Sequence, residues 1–312
     1  MKWKKLGRIF NTNGQKPWMQ THASLPIVEY KHDDIFRIYF SPRNSENKSH
    51  IAFIEIDINE PTKILKISEK PVMEPGKLGA FDDSGVMASC IVNHNDKKFL
   101  YYLGWNQKVT VPYSNAIGLA ISHDDGDTFQ RVFDGAIVDR SPTEPYFTAS
   151  CEIKIENDLW RMWYLSCTGW KMRIDPDDKT NSRNLASPFY HIKYAESDDG
   201  INWKRDGKVC IDFKNEDEWA TATPRVRKEG DIYKMWYSHR GVTPYRIGYA
   251  ESKNGIDWNR KDEEVGINVS KEGWDSKMIE YPFVFEHKNS KYMLYNGNEF
   301  GIEGLGIAIL EK

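Results

Sequence analysis

IGLAISHDDGDTF (117–129), IKYAESDDGINW (192–203) and IGYAESKNGIDW (247–258) are three copies of one pattern. Each is a short alternating strand, then a turn carrying Gly126, Gly200 or Gly255, then an aromatic residue that opens a second strand. Alternation followed by a glycine turn is the sequence sign of a β-hairpin. The shared consensus is Ser-x-(Asp/Asn)-Gly-x-x-(Trp/Phe), which makes Asp125, Asp199 and Asn254 turn formers. A supersecondary unit that recurs decides the architecture before any single motif does.

Upstream of each hairpin lies another. FLYYLGW (99–105), WRMWYLS (160–166) and YKMWYSH (233–239) are aromatic strands, each after a charged turn. Before those turns stand MASCIV (87–92), TASCEIKI (148–155) and TATPRVR (221–227). The unit is therefore four strands, A to D, in an up-and-down meander. A first unit reads SLPIVEY (24–30), FRIYFSP (36–42), HIAFIEID (50–57) and ILKISEK (64–70). A last one reads IEYPFVFE (279–286), KYMLYNG (291–297) and LGIAILE (305–311), and lacks its D strand. WKKLGRIF (3–10) resembles the D strands WKRDGKVCI (203–211) and FQRVFDGAIV (129–138). Pairing it beside the C-terminal strand closes a ring and removes an exposed strand edge. The expectation is an all-β, five-bladed β-propeller of four-stranded antiparallel blades, one domain over residues 1–312. In YKMWYS both alternating faces carry large groups, as blades packed face to face require.

Composition agrees. No Pro/Ser/Gly tract or charge block reads as a linker. Net charge is −3, so no basic field argues for nucleic acid. No stretch approaches the 18 apolar residues of a membrane helix. The first ten residues carry charge but no apolar core, so no secretory leader is expected. The four cysteines, Cys90, Cys151, Cys167 and Cys210, form no CxxC pair and show no metal-ligand spacing. Free thiols, a cytoplasmic location, no metal and no cofactor are the expectations. Aromatic content is 13%, which suits both strands and sugar sites.

Strand direction sorts the residues onto two rims. The A–B and C–D turns share one rim and read as solvated hairpin tips. The other rim carries the starts of the A strands and the ends of the B strands. His22, Asp82, Asp83, Glu144, Thr223 and Glu280 stand at or near the A-strand starts. Arg43, Trp105, Trp170, His239, Arg240 and Asn298 stand at the B-strand ends. Glu152 and Arg225 lie a little further along their A strands. Strand A is innermost in a propeller, so Asp83, Arg225 and Glu280 are expected to face one axial hollow. The longest B–C loop, roughly 166–190, is placed to cover it. Aromatic rings stack on the C–H face of a sugar, and carboxylates and arginines bond its hydroxyls or an acidic group. Glycoside hydrolysis needs two carboxyl groups across the bond, one protonated and one ionised. The partner expected is a small carbohydrate.

These motifs resemble five-bladed propeller glycosidases: glycoside hydrolase family 43, the family 32 invertases and the family 130 mannoside phosphorylases. Glu280 in IEYPFVF matches the general-acid position of that pattern. Asp83 in DDSGVMASC starts its blade as a family acid does, with Asp82 beside it and Glu152 one residue past the pattern. The resemblance implies Glu280 as general acid and Asp83 as base or nucleophile. The rim residues are expected to bind through His22, Arg43, Thr223, Arg225 and Asn298 and to stack through Trp105 and Trp170. The chain departs from those families in blade one, where THASLP puts His22 in place of an acid, and in blade four, where TATPRVR has none. A phosphorylase needs only one carboxyl acid, with phosphate held by Arg225, His239 and Arg240. The readings are thus a glycoside hydrolase-like enzyme, a phosphorylase or transferase acting on a sugar phosphate or nucleotide sugar, or a non-catalytic sugar-binding propeller.

Overall fold

The computed structural model describes residues 1–172 and 186–311. β1 (Trp3–Phe10) leads into a first antiparallel meander, β2 (Thr21–His32), β3 (Ile35–Arg43), β4 (Ala52–Asp57) and β5 (Ile64–Ile67). A second holds β6 (Gly85–His94), β7 (Lys97–Gln107), β8 (Tyr113–Ser122) and β9 (Gln130–Arg131). The third is β10 (Thr148–Glu156), β11 (Leu159–Met172), β12 (Ala186–Ser197) and β13 (Val209–Ile211). The fourth is β14 (Glu218–Glu229), β15 (Ile232–Gly241), β16 (Arg246–Ser252) and β17 (Asn259–Arg260). A single parallel bridge, Tyr190 to Ala220, joins the third and fourth into one larger sheet. β18 (Glu280–His287), β19 (Ser290–Asn296) and β20 (Leu305–Leu310) complete the chain. β1 pairs with β20 from Trp3–Leu310 to Phe10–Leu305, so the last sheet takes its fourth strand from the start of the sequence. Among the described residues the only helical pieces are two three-residue 3₁₀ turns.

Neighbouring B-strand residues serve opposite neighbours, because side chains alternate across a strand. Tyr101 packs toward the third meander while Tyr102 packs toward the first. Trp163 and Tyr164 divide in the same way, as do Trp236 and Tyr237. Ile38 and Ile54 of the first meander share a core with Leu294 and Ile307 of the last sheet. Five apolar cores thus lie between two meanders each, whereas a sixth, around Leu25, Leu103, Leu165 and Ala222, draws on four of them.

Two further sets of bonds link the meanders. On the hairpin-tip rim, Ser122, Ser197 and Ser252 accept from the amides of Gly126, Gly200 and Gly255. Each of those glycines passes its carbonyl to a ring of the preceding meander, Tyr39, Tyr101 or Trp163. Gly200 has φ +72°, and an added Cβ would lie 2.6 Å from the Tyr101 hydroxyl, so only glycine fits. The first hairpin has one residue more than its siblings. Asp124, not Asp125, therefore caps the turn, accepting from Thr128 N as Asp199 and Asn254 accept in theirs. Asp125 instead pairs with Lys31 and Lys98.

On the opposite rim each innermost strand is bulged, and a neighbouring side chain holds a backbone N–H there. Ala88 N donates to Ser41 Oγ, Cys151 N to Ser89 Oγ, and Thr223 N to Ser150 Oγ. Tyr281 N donates to Ser238 Oγ and Leu25 N to Asn296 Oδ1. These bonds run from each meander to the next and from the last back to the first.

Candidate functional site

The bulged rim surrounds a cavity of about 670 Å³ to which all the meanders contribute. Leu25, Thr223 and Tyr281 line it, and each precedes a proline. All three sit in the left-handed region, with φ of 54°, 52° and 53°. That conformation is strained for bulky or β-branched residues, and such strain persists only where surrounding structure fixes it. The fixing groups are Asn296, Ser150 and Ser238.

The charged residues in the described lining are Arg43, Lys108 and Arg240, with no carboxylate among them. The Arg43 guanidinium lies 5.7 Å from the Trp105 ring centre, and its Nη1 donates to Asn47 at 2.9 Å. Arg240 lies 4.8 Å from the Tyr245 ring and 6.0 Å from that of Tyr190. Both arginines bury an Nε that has no hydrogen-bond partner. Burial lowers the pKa of Arg43, partly offset by Tyr281 and Tyr113. At Arg240 burial also opposes the charge, but Tyr190, Tyr245, Tyr113 and Tyr281 outweigh it and the net shift is upward. Tyr113 and Tyr281 thus act on both guanidiniums. Oriented guanidinium donors between aromatic walls suit a phosphate or carboxylate.

Of the residues expected from sequence, Arg43, Trp105, Thr223 and Arg240 line this cavity. Trp105 also donates from Nε1 to Ser49. His22 is buried beside Thr21, and burial with the charge of Arg43 brings its pKa down to about 4. Trp170 packs edge-on against Tyr113, 5.5 Å between centres, behind the lining. The expectation that Asp83, Arg225 and Glu280 share the hollow is corrected, because none of them lines it. Asp83 accepts from Gly79 N and Ser84 Oγ in the turn before β6. Arg225 is 3% exposed; its Nη1 bonds the Ser89 carbonyl and reaches Glu152 at 3.2 Å. Glu152 also pairs with Lys154. His239 bonds Glu218, and Asn298 accepts from the amides of Lys277 and Met278. Glu280 is 0% exposed beside Tyr281, with neither carboxylate oxygen hydrogen-bonded. Burial raises its pKa well above the usual value, against the pull of Arg240. In the loop expected to cover the hollow, 173–185 lie outside the described residues. Its flanks are paired strand up to Met172 and Ala186.

Asp82 belongs to a recurring device. It accepts from Tyr102 and Arg131, Glu144 from Tyr164 and Arg205, and Asp275 from Tyr295 and Lys5. Glu218 takes Arg260 in the same manner. In each, an acid at or just ahead of the innermost strand meets a base on or just before the outermost strand, and in the last sheet that base is Lys5 of β1. Sequence reading missed Lys108 and the four tyrosines around Arg240. The signal available was the Leu-Pro, Thr-Pro and Tyr-Pro step at one position of three innermost strands.

Comparison with known proteins agrees with this geometry. Residues 182–298 match the model of glycoside hydrolase family 130, described as beta-1,4-mannooligosaccharide phosphorylase. A 1,2-beta-oligomannan phosphorylase of Thermoanaerobacter is 36% identical over 107 residues, 33% of each chain. Among solved structures, a thermostable family-43 glycoside hydrolase superposes with a TM-score of 0.67 at 16% identity, over 93% of this chain and 89% of its own. A Bombyx mori family-32 beta-fructofuranosidase gives 0.62 at 15%, over 96% and 62%. At such identities the structural likeness is one of fold. Fold, cavity and family match together define a glycosidase-like propeller protein of the glycoside-active enzyme class. Within that class the chain belongs to the family of the uncharacterized protein Rv1502 of Mycobacterium tuberculosis, 40% identical over 312 residues and 100% of both chains.

Proposed function

We propose that this chain is a single-domain, five-bladed propeller that cleaves a glycosidic bond with inorganic phosphate, not water. The observation that carries the reading is the charge of the cavity. Its described lining holds three cations and no carboxylate, with two buried guanidinium Nε groups bare. Hydrolysis by paired carboxylates needs both acids at the bond. Phosphate supplies its own nucleophilic oxygen, so the protein has only to hold that anion and provide one proton. Arg43 and Arg240 hold the phosphate, and Trp105 stacks on the sugar. The closing of each meander on the next, with β1 as the outer strand of the last, supports the five-bladed ring. Four free, buried cysteines fit a reducing cytoplasm. No described helix is long and apolar enough to cross a membrane.

The test is a screen of short mannosides and other oligosaccharides with and without inorganic phosphate, scored for sugar 1-phosphate. Turnover should require phosphate, and Arg240→Met should raise the KM for phosphate at least tenfold. Free sugar released at the same rate without phosphate would make the chain a hydrolase. Ligand binding without any turnover would make it a sugar-binding propeller.

A further inference from the structure

Trp105, Gln107, Tyr113 and Asn115 line the cavity from a single hairpin. β7 pairs with β8 so that Trp105 stands opposite Asn115 and Gln107 opposite Tyr113. Directly opposed residues share a face of the sheet, so these four side chains form one platform. Lys108 follows as the first residue of the connecting turn, where its N–H donates to the Pro112 carbonyl at 3.3 Å. It is half-buried at the end of that platform and lines the same cavity. Among the described residues no carboxylate pairs with it. Asp139 borders a smaller neighbouring recess together with Lys108, but its ion-pair partner is Arg140.

A phosphate carries roughly two negative charges, which Arg43 and Arg240 balance. The ammonium of Lys108 is then the one cation of the described lining left over. While the cavity is open, water solvates it. A sugar ring lying on Trp105 displaces that water, and a cation stripped of solvent is costly unless a partner takes its place. The hydroxyls of a neutral sugar offset little of this cost, whereas one carboxylate offsets it through a charge-assisted hydrogen bond. A ring stacked by its C–H face sends its substituents outward from its edge, and the C6 group is one of them. We propose that the saccharide is acidic: a uronic acid unit stacks on Trp105, and its C6 carboxylate pairs with Lys108 Nζ. The inference rests on the phosphorolytic reading above, which assigns the two arginines to phosphate. Gln107 and Asn115, beside Trp105 on the platform, serve the hydroxyls of that unit. Lys108 selects the acid, and no covalent bond is made or broken there.

Methyl mannobioside, its C6-oxidised diuronate and the dimethyl ester of that diuronate differ only at C6, and only the diuronate is charged. In the presence of phosphate, kcat/KM for the diuronate should exceed that for either uncharged compound by about tenfold or more, the worth of one charge-assisted hydrogen bond. Added salt should narrow the gap. Lys108→Met should raise the KM for the diuronate with less change in kcat, and its loss on the diuronate should exceed its loss on methyl mannobioside by about tenfold. Lys108→Arg should keep the preference. Equal rates on diuronate and ester would overturn the assignment, and so would a Lys108→Met variant that weakens charged and uncharged substrates alike. Titration calorimetry reads the same contrast without turnover. Wild type should bind the diuronate about tenfold more tightly than methyl mannobioside, and Lys108→Met should bind the two about equally. Indistinguishable affinities in wild type would end the proposal. Turnover of the diuronate without phosphate would instead sink the phosphorolytic reading, and the calorimetric contrast would still decide the role of Lys108.

Discussion

Replacing Asn296 by alanine tests the bond that ties the last meander to the first. The side chain is 0% exposed and makes three hydrogen bonds. It accepts from Leu25 N at 3.0 Å and donates to the carbonyls of Ala23 at 2.7 Å and Gly304 at 2.9 Å. Asn296→Ala removes three hydrogen bonds, stripping Leu25 N and Ala23 O of this partner while Gly304 O keeps only a 3.5 Å contact from Gly297 N, at about 1 kcal/mol for each bond, or about 3 kcal/mol in all. Unfolding entropy of about 2.1 cal/mol/K for each residue comes to roughly 0.65 kcal/mol/K for a chain of 312. The melting temperature should therefore fall by about 5 °C. Ser238→Ala removes a single bond of the same ring, and its cost of about 1 kcal/mol lowers the melting point by only about 1.5 °C. Scanning calorimetry of both variants at one pH measures the contrast. A drop for Asn296→Ala no greater than that for Ser238→Ala would refute the account, because the closing contact would then carry no more than any other.

Two further outcomes concern buried charge. His22 is held neutral down to about pH 4 in the fold, whereas a free histidine takes its proton near 6.5. Its contribution is present above pH 6.5 and is lost as the pH falls through that window toward 4. About 3 kcal/mol of acid destabilisation should follow, and His22→Gln should flatten the denaturant midpoint between those limits. Arg131→Met strips Asp82, which is 0% exposed, of its cation and leaves it only Tyr102. Chemical denaturation should show a loss of about 3 kcal/mol, since an uncompensated buried charge remains. A loss under 1 kcal/mol would mean that water replaces the guanidinium.

What the sequence made legible was local and repeated. The hairpins around Gly126, Gly200 and Gly255 announce themselves because a left-handed turn admits few residues. The likeness of WKKLGRIF to the D strands was enough to place β1 beside β20. The site was harder, because an acid at a strand start serves two ends equally well. Asp82 looks like a catalytic carboxylate and is the anchor for Tyr102 and Arg131. Trp170 looks like a sugar platform and packs on Tyr113 and Phe147. Conversely Tyr113, Tyr190, Tyr245 and Tyr281 resemble the packing tyrosines of every other strand. All four line the cavity, and at Tyr281 it is a bulge, which no periodicity reveals, that breaks the alternation. The single extra residue that shifts the turn role from Asp125 to Asp124 was equally invisible to a consensus aligned on glycine.

The pairing of β1 with β20 bears on how such a chain comes off the ribosome. Trp3 finds Leu310 only when nearly everything between them has been made. Until then β1 has no lateral partner, and Lys5 has no Asp275 to neutralise. Contacts of such sequence separation are slow to form and leave a sticky edge open meanwhile. A version re-cut so that synthesis starts at β2 and β1 follows β20 would build its outermost sheet as one local meander. It should mature faster and aggregate less during expression.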